Sequence, residues 1–361
     1  MEPLRFLYHE EMLLKVGKVF QELDAQFDPE VFAAHAMREP WDDASFKERM
    51  RLVTLALGEM LPQAYEAAVE FVCRAGERFR GIEYIFFPDY IEVYGRENPE
   101  LSLEALTRLT RYSTSEYAIR PFIEREPEAV MQKLRKWSLF SDEHIRRLAS
   151  EGCRPRLPWG QRLPVFVRDP RPVLELLEPM LQDESEYVRR SVANNLNDIA
   201  KDHPELVMDL AERTYGRDSR TDWILRHGCR TLLKQAHPRA MALFGLGPAA
   251  GASAQELKLL TPVVPFGERL EFSFNIVNEE KPMMLRLEYE IGFVKANGTL
   301  AGKRFKLSER EYPHGRTSVT RSHAIKPITT RRYYPGMHSL TVLVNGVEQA
   351  SLSFELTMDL D

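Results

Sequence analysis

The chain has 361 residues, 43% of them hydrophobic and 29% charged, which is the balance of a soluble globular protein with room for two domains and excludes a disordered or collagen-like chain. No apolar run reaches the roughly 18 residues needed to cross a bilayer, and Met1-Glu2-Pro3-Leu4-Arg5 lacks the basic and apolar regions of a secretion signal. The formal net charge of −5 does not by itself announce a nucleic-acid binder, and three widely spaced cysteines (Cys73, Cys153, Cys229) argue against a disulfide framework or a zinc site and fit a cytoplasmic protein; a monomer is expected.

Residues 1–244 read as helices, with apolar positions three and four apart and short Pro or Gly punctuation. A degenerate repeat runs through them. Asp183-Glu184-Ser185-Glu186-Tyr187-Val188-Arg189-Arg190-Ser191-Val192-Ala193 has an acidic residue, an aliphatic-Arg pair and small apolar residues in HEAT-like order, and weaker echoes surround Arg120, Arg146 and Arg226. Stacked helix pairs of this kind make a curved solenoid with a long groove, a scaffold that serves protein partners as readily as nucleic acid.

Two segments of this region carry chemistry. In Ser150-Glu151-Gly152-Cys153-Arg154-Pro155-Arg156-Leu157-Pro158-Trp159-Gly160 a helix ends at Gly152, and two prolines then stiffen a loop bearing Arg154, Arg156 and Trp159. Arginine can hold phosphates bidentately and an indole face attracts cations. A proline-braced turn with Trp159 buried is the structural alternative. In Tyr187 to His203, Val188, Val192, Leu196 and Ile199 form an apolar stripe, and Arg190, Asn194 and Asp198 fall on the opposite face, flanked by Asn195 and Asn197. Asn and Asp are poor helix formers, so a cluster of them points either to ligand contacts in the groove or to hydrogen bonds between repeats.

Residues 245–255 (Gly245-Leu246-Gly247-Pro248-Ala249-Ala250-Gly251 and onward) are small and read as a linker. From 256 to 361 the period becomes two, as in Arg269 to Ile276 and Leu285 to Ile291, and Asn345-Gly346 is a strong hairpin signal. This predicts a small all-β sandwich of immunoglobulin type. The expected fold is therefore mainly α, a HEAT-like solenoid followed by that sandwich. Charge is uneven along it. Residues 302–334 carry nine Lys or Arg against two Glu, a local +7, and residues 146–171 carry seven Arg against Glu151 and Asp169, a local +5. Such stripes on an acidic chain suggest a polyanion held at defined places, or else two solvated faces.

The 150–159 segment, Val192 to Pro204 and Thr329-Thr330-Arg331-Arg332-Tyr333-Tyr334-Pro335-Gly336 resemble those of AlkC alkylbase DNA glycosylases, and the similarity covers essentially the whole chain. The resemblance implies excision of 3-methyladenine and 3-methylcytosine from double-stranded DNA, with no metal or organic cofactor and without full base flipping. It matches Glu116, Glu151, Asp198 and Trp159 to catalytic-centre positions. DNA contacts are expected at Arg154, Arg156, Arg190, Asn194, Asn195, Arg226 and His227, and in the β-domain at Thr330, Arg331 and Arg332, where an arginine- and aromatic-rich loop could enter the minor groove as a clamp. A non-catalytic nucleic-acid-binding solenoid and a scaffold for protein partners are the competing readings of the residues alone.

Overall fold

A computed structural model describes residues 3–328 and 331–358. Helices come first: α1 (Glu10–Leu23), α2 (Pro29–Ala36), α3 (Phe46–Met60), α4 (Tyr65–Gly76), α5 (Phe86–Tyr94), α6 (Pro99–Leu109), α7 (Arg120–Arg125) and α8 (Pro127–Trp137). They continue as α9 (Glu143–Gly152), α10 (Pro164–Arg168), α11 (Arg171–Leu177), α12 (Glu186–Ile199), α13 (Pro204–Thr214), α14 (Ser219–Gly228), α15 (Arg230–Lys234) and α16 (Pro238–Leu243). Their starts are written locally. Pro29, Pro99, Pro127, Pro164 and Pro238 each open a helix, where a missing N–H costs nothing. Asp28 and Asp142 each accept two backbone N–H groups of the first turn, and Ser45 with Glu48 forms a capping box. None of the described helices is long and apolar enough to cross a membrane.

The strands follow: β1 (Ala252–Leu259), β2 (Val263–Pro265), β3 (Arg269–Asn278), β4 (Met283–Val294), β5 (Leu300–Tyr312), β6 (Gly315–Ala324), β7 (Gly336–Val344) and β8 (Val347–Thr357). They form a three-stranded sheet in the order β1-β3-β6 and a five-stranded sheet in the order β2-β8-β7-β4-β5. All pairings are antiparallel except β2 with β8. Period-two alternation puts Leu270, Phe272, Phe274 and Ile276 of β3 into one core with Leu285, Leu287, Tyr289 and Ile291 of β4 and with Leu340 and Val342 of β7. The molecule is thus mainly helical with a C-terminal β-sandwich.

Two compact units divide the chain: Met1–Val207 with Arg213–Gly228, and Met208–Glu212 with Cys229–Asp361. The second unit takes in more than the sandwich, and the expected linker is corrected accordingly. Leu246 is fully buried, Asn345 Nδ2 donates to Gly247 O at 2.9 Å, and the segment is already strand from Ala252. The segment is anchored at these points and is not a free tether.

The Asn345-Gly346 hairpin joins β7 to β8 with both residues at positive φ, +47° and +78°, as the twist-matched two-residue turn requires. A Cβ on Gly346 would lie 2.3 Å from that of Ala236. Gly346→Val is therefore expected to lower the unfolding free energy of this unit by at least about 1–2 kcal/mol, the cost of a β-branched residue in the left-handed region, before any clash is counted. Urea denaturation followed by near-UV circular dichroism checks it, and an unchanged midpoint would contradict the turn geometry.

Candidate active site

The site is built where α9 ends against α12. Small polar contacts bring the two helices close: Ser150 Oγ lies 2.7 Å from Ser191 Oγ, and Asn195 Nδ2 donates to Ser150 O at 2.7 Å. This places Glu151, in the last turn of α9, beside Asp198, in the last turn of α12. Helix α9 stops at Gly152, and the chain turns so that Arg154 folds back over it. Its Nη1 donates to Glu151 Oε1 at 2.6 Å and its Nε to Asp198 Oδ2 at 2.8 Å. Ser191 Oγ donates to Glu151 Oε2 at 2.6 Å, and Lys201 Nζ to Asp198 Oδ1 at 2.9 Å.

On the other side Arg147, one helical turn before Glu151, donates to Glu116 Oε2 and lies 3.7 Å from Glu151 Oε1. Thr114 Oγ1 completes that end, donating to Glu116 Oε2 at 2.6 Å. The result is a line of alternating charge, Glu116, Arg147, Glu151, Arg154, Asp198 and Lys201. The three carboxylates are only 6%, 5% and 2% exposed. Burial works against the charge on Arg147 and Arg154, but the flanking carboxylates outweigh it and both guanidinium pKa values are raised. Arg147 also stacks on Tyr187, 5.2 Å from the ring centroid. Burial, and then the charge of Glu116, push the Tyr117 phenol up to about 12.

Trp159 stands on the loop between α9 and α10. Leu163 N donates to Pro155 O and Gly160 N to Leu157 O, both at 3.1 Å, closing the loop on itself. Its core is Cys153 and Leu157, both buried, whereas Trp159 is 62% exposed at φ +62°. The buried-tryptophan alternative is ruled out.

Among the residues expected to contact DNA, Arg154 is buried between two carboxylates. Asn195 is fully buried and serves the α9–α12 junction, because α12 packs against both α9 and α14 and its polar side is enclosed from residue 195 onward. Arg156 is held bidentately by Asp202 at 2.7 Å, and the exposed Arg190 pairs with Glu186 at 2.6 Å. Asn194 and Arg226 are half-buried, and His227 stacks on Trp223 with centroids 5.3 Å apart. In the second unit Arg331 lies 4.0 Å from the Phe293 ring centroid, Arg332 is exposed above Tyr334, and Tyr333 is buried in the core; Thr330 lies outside the described residues.

Sequence reasoning missed Arg147, Ser191 and Lys201 as members of the site. The i,i+4 spacing of Arg147 and Glu151 and the i,i+3 spacing of Asp198 and Lys201 were available signals for two of them. It also overstated the 146–171 basic stripe. Arg146 pairs with Asp183 and Arg171 with Asp169, which with Arg147, Arg154 and Arg156 leaves Arg162 and Arg168 exposed and without an ion pair among the described residues. Among those residues no group of three or more His, Cys, Asp or Glu is arranged to hold a metal ion.

Comparisons with known proteins bear on this arrangement. A family described as DNA alkylation repair enzyme matches residues 110–232, and one described as the C-terminal Ig-like domain of uncharacterised protein YhaZ matches residues 253–358. Uncharacterized protein YhaZ of Bacillus subtilis (strain 168) is 43% identical over 357 residues, which is 99% of this chain and all of that protein. The solved structure of Pseudomonas fluorescens alkylpurine DNA glycosylase AlkC bound to DNA containing an abasic site analog superposes with a TM-score of 0.95 at 35% identity, covering 99% of this chain and 100% of that one.

Removing Arg154 would leave Glu151 and Asp198 buried without their shared cation. Arg154→Met is therefore expected to cost about 3–5 kcal/mol of unfolding free energy at neutral pH, the usual loss when one partner of a buried ion pair is deleted. An exposed arginine whose role was to meet phosphate would cost less than about 0.5 kcal/mol. Equilibrium urea unfolding separates the two.

Proposed function

The chain belongs to the AlkC-type family of DNA alkylation repair enzymes, and from that premise we propose that it is a DNA glycosylase that hydrolyses the N-glycosidic bond of the cationic lesions 3-methyladenine and 3-methylcytosine in double-stranded DNA. The observation that carries this reading is the buried line of Glu116, Glu151 and Asp198, fixed by arginines, in the same helical unit as an exposed tryptophan held on a closed loop.

The chemistry asks for these groups. Methylation at N3 makes the base a cation, so it leaves as a neutral molecule and needs no proton from the protein. Charge instead builds on the deoxyribose as the bond breaks. Carboxylates already fixed in space stabilise that charge without reorganising, and one of them orients the attacking water. Glu151 and Asp198 take this part jointly, and Glu116 extends the same field. Trp159 offers its π face to the sugar or the cationic base.

DNA is the partner, held by the helical unit read as a HEAT-like solenoid in which α9, α12 and α14 are packed neighbours. Arg162 and Arg168, exposed on this unit and with no internal partner among the described residues, are free to meet phosphate. The β-sandwich acts as a second clamp through Arg331 and Arg332, where the exposed Arg332 is the group able to reach phosphate or enter a minor groove. The enzyme works as a cytoplasmic monomer, and its three buried free thiols fit a reducing compartment.

Incubation with methylated DNA is expected to release 3-methyladenine. In single-turnover assays Glu151→Gln and Asp198→Asn should each lose about 10²–10³ in rate while DNA affinity stays close to wild type. Wild-type rates in both folded variants would overturn the catalytic assignment. For DNA binding, Arg162→Ala with Arg168→Ala, and separately Arg331→Ala with Arg332→Ala, should each lower the slope of log K against log salt by about 0.9 for every phosphate that is no longer neutralised. A pair that leaves the slope unchanged is no part of the DNA interface.

A further inference from the structure

Three carbonyl oxygens of the 152–161 loop are held by cations that come from elsewhere in the helical unit. Arg120, at the start of α7, is 1% exposed and donates through Nη1 to Gly152 O at 2.8 Å and through Nε to Gln161 O at 2.6 Å. One side chain thus ties both ends of the loop. It has no carboxylate partner among the described residues, its Nη2 is buried without a hydrogen bond, and burial pushes its pKa down to about 10.

Lys47, in the first turn of α3, reaches the middle of the same loop. Its Nζ donates to Trp159 O and lies 4.6 Å from the centroid of the Tyr117 ring. The lysine lines a cavity of about 300 Å³ that Arg51, Asp89, Glu92 and Gly160 also line. Asp89 and Glu92 would ordinarily attract the ammonium. Arg51, one turn further along α3, takes both, at 2.8 and 3.4 Å, and Lys47 is left to a neutral carbonyl. Burial lowers the proton affinity of Lys47, so the ammonium stays there against a desolvation cost offset by the carbonyl and the aromatic face.

The loop needs such ties. Trp159 occupies left-handed backbone space that L side chains disfavour, and with the residue 62% exposed little packing holds it there. Its orientation therefore depends on what grips the backbone on either side.

We infer that Lys47 and Arg120 are positioning residues of the excision reaction, which hold the carbonyls at 152, 159 and 161 and so fix the direction in which Trp159 meets the damaged nucleotide. This rests on the role given to Trp159 above. Neither cation touches DNA. Both act through the loop.

Arg120 is too deeply buried for its removal to be informative, so Lys47 carries the test. Lys47→Met keeps the length of the side chain and removes the donor, whereas Lys47→Arg keeps a donor. Displacing a reacting partner by about an ångström can cost up to a hundredfold, so Lys47→Met should slow single-turnover excision by about ten- to a hundredfold. DNA affinity and its salt slope should not change, and Lys47→Arg should restore most of the rate. In a Trp159→Ala background Lys47→Met should have no further effect, because the two residues act as one unit. An equal loss in both backgrounds, or a flattened salt slope, would make Lys47 a DNA contact and overturn the inference. The second readout is independent of activity. With 5-fluorotryptophan in the full chain, the Trp159 fluorine line, identified by its loss in Trp159→Phe, should move towards the free amino acid in Lys47→Met. A line that does not move overturns the inference. Wild-type excision by Trp159→Ala would instead remove the role of Trp159, while the fluorine line would still report whether Lys47 holds the loop.

Discussion

Arg154 lies between Glu151 and Asp198, and the local architecture follows from what it takes to keep two such carboxylates charged inside the protein. An unpaired carboxylate at 2–5% exposure would cost several kcal/mol of lost hydration. A lysine could serve one of them as a point charge. The planar guanidinium serves both, presenting Nη1 to one and Nε to the other. The geometry demands that Arg154 follow the end of α9 closely enough to fold back over it, and that α12 come near enough to offer Asp198. Ser150, Ser191 and Asn195 meet the second demand, because they hydrogen-bond directly across the α9–α12 contact. Arg147 and Lys201 then extend the pattern outward, so that three acids and three bases alternate and the line carries no net charge. Its counterions are its own.

How much of this could be read in the sequence depends on whether the signal was local. The helix starts at Asp28, Ser45 and Asp142 and the Asn345-Gly346 turn are written in a few adjacent residues, and the structure has them. The change of period near residue 256 likewise located the sandwich, because alternation along one strand reports one buried face. Burial of α12 was not legible in the same way. A helical wheel finds the stripe of Val188, Val192, Leu196 and Ile199, but it cannot tell that neighbours on two sides also enclose Asn195, Asn197 and Asp198. Charge counting failed for a related reason. Arg146, Arg147, Arg154, Arg156 and Arg171 look like a polyanion-binding surface in one dimension, and four of their acidic partners lie outside the stripe, at Asp183, Glu116, Asp198 and Asp202. The same limit hid two ties of the 245–255 segment, Gly247 to Asn345 and Ala254 to Gln349, whose partners lie 98 and 95 residues away.

A line of charges that is neutral overall also bears on which bases the proposed reaction accepts. Each of the three carboxylates accepts hydrogen bonds from an arginine, so each presents lone pairs to its surroundings rather than a proton. An unmodified adenine or cytosine is a poor leaving group until it is protonated, and this line has no acid placed to protonate it. A base methylated at N3 already carries the charge that protonation would supply. Selectivity for cationic lesions then needs no pocket shaped around the methyl group, because the barrier that separates damaged from undamaged nucleotides lies in the leaving group itself. What the protein would add in the proposed reaction is common to both: stabilisation of the sugar cation and a placed water. Since only the cationic base can use that help at an appreciable rate, a site that reads the sugar can discriminate between bases that it scarcely touches.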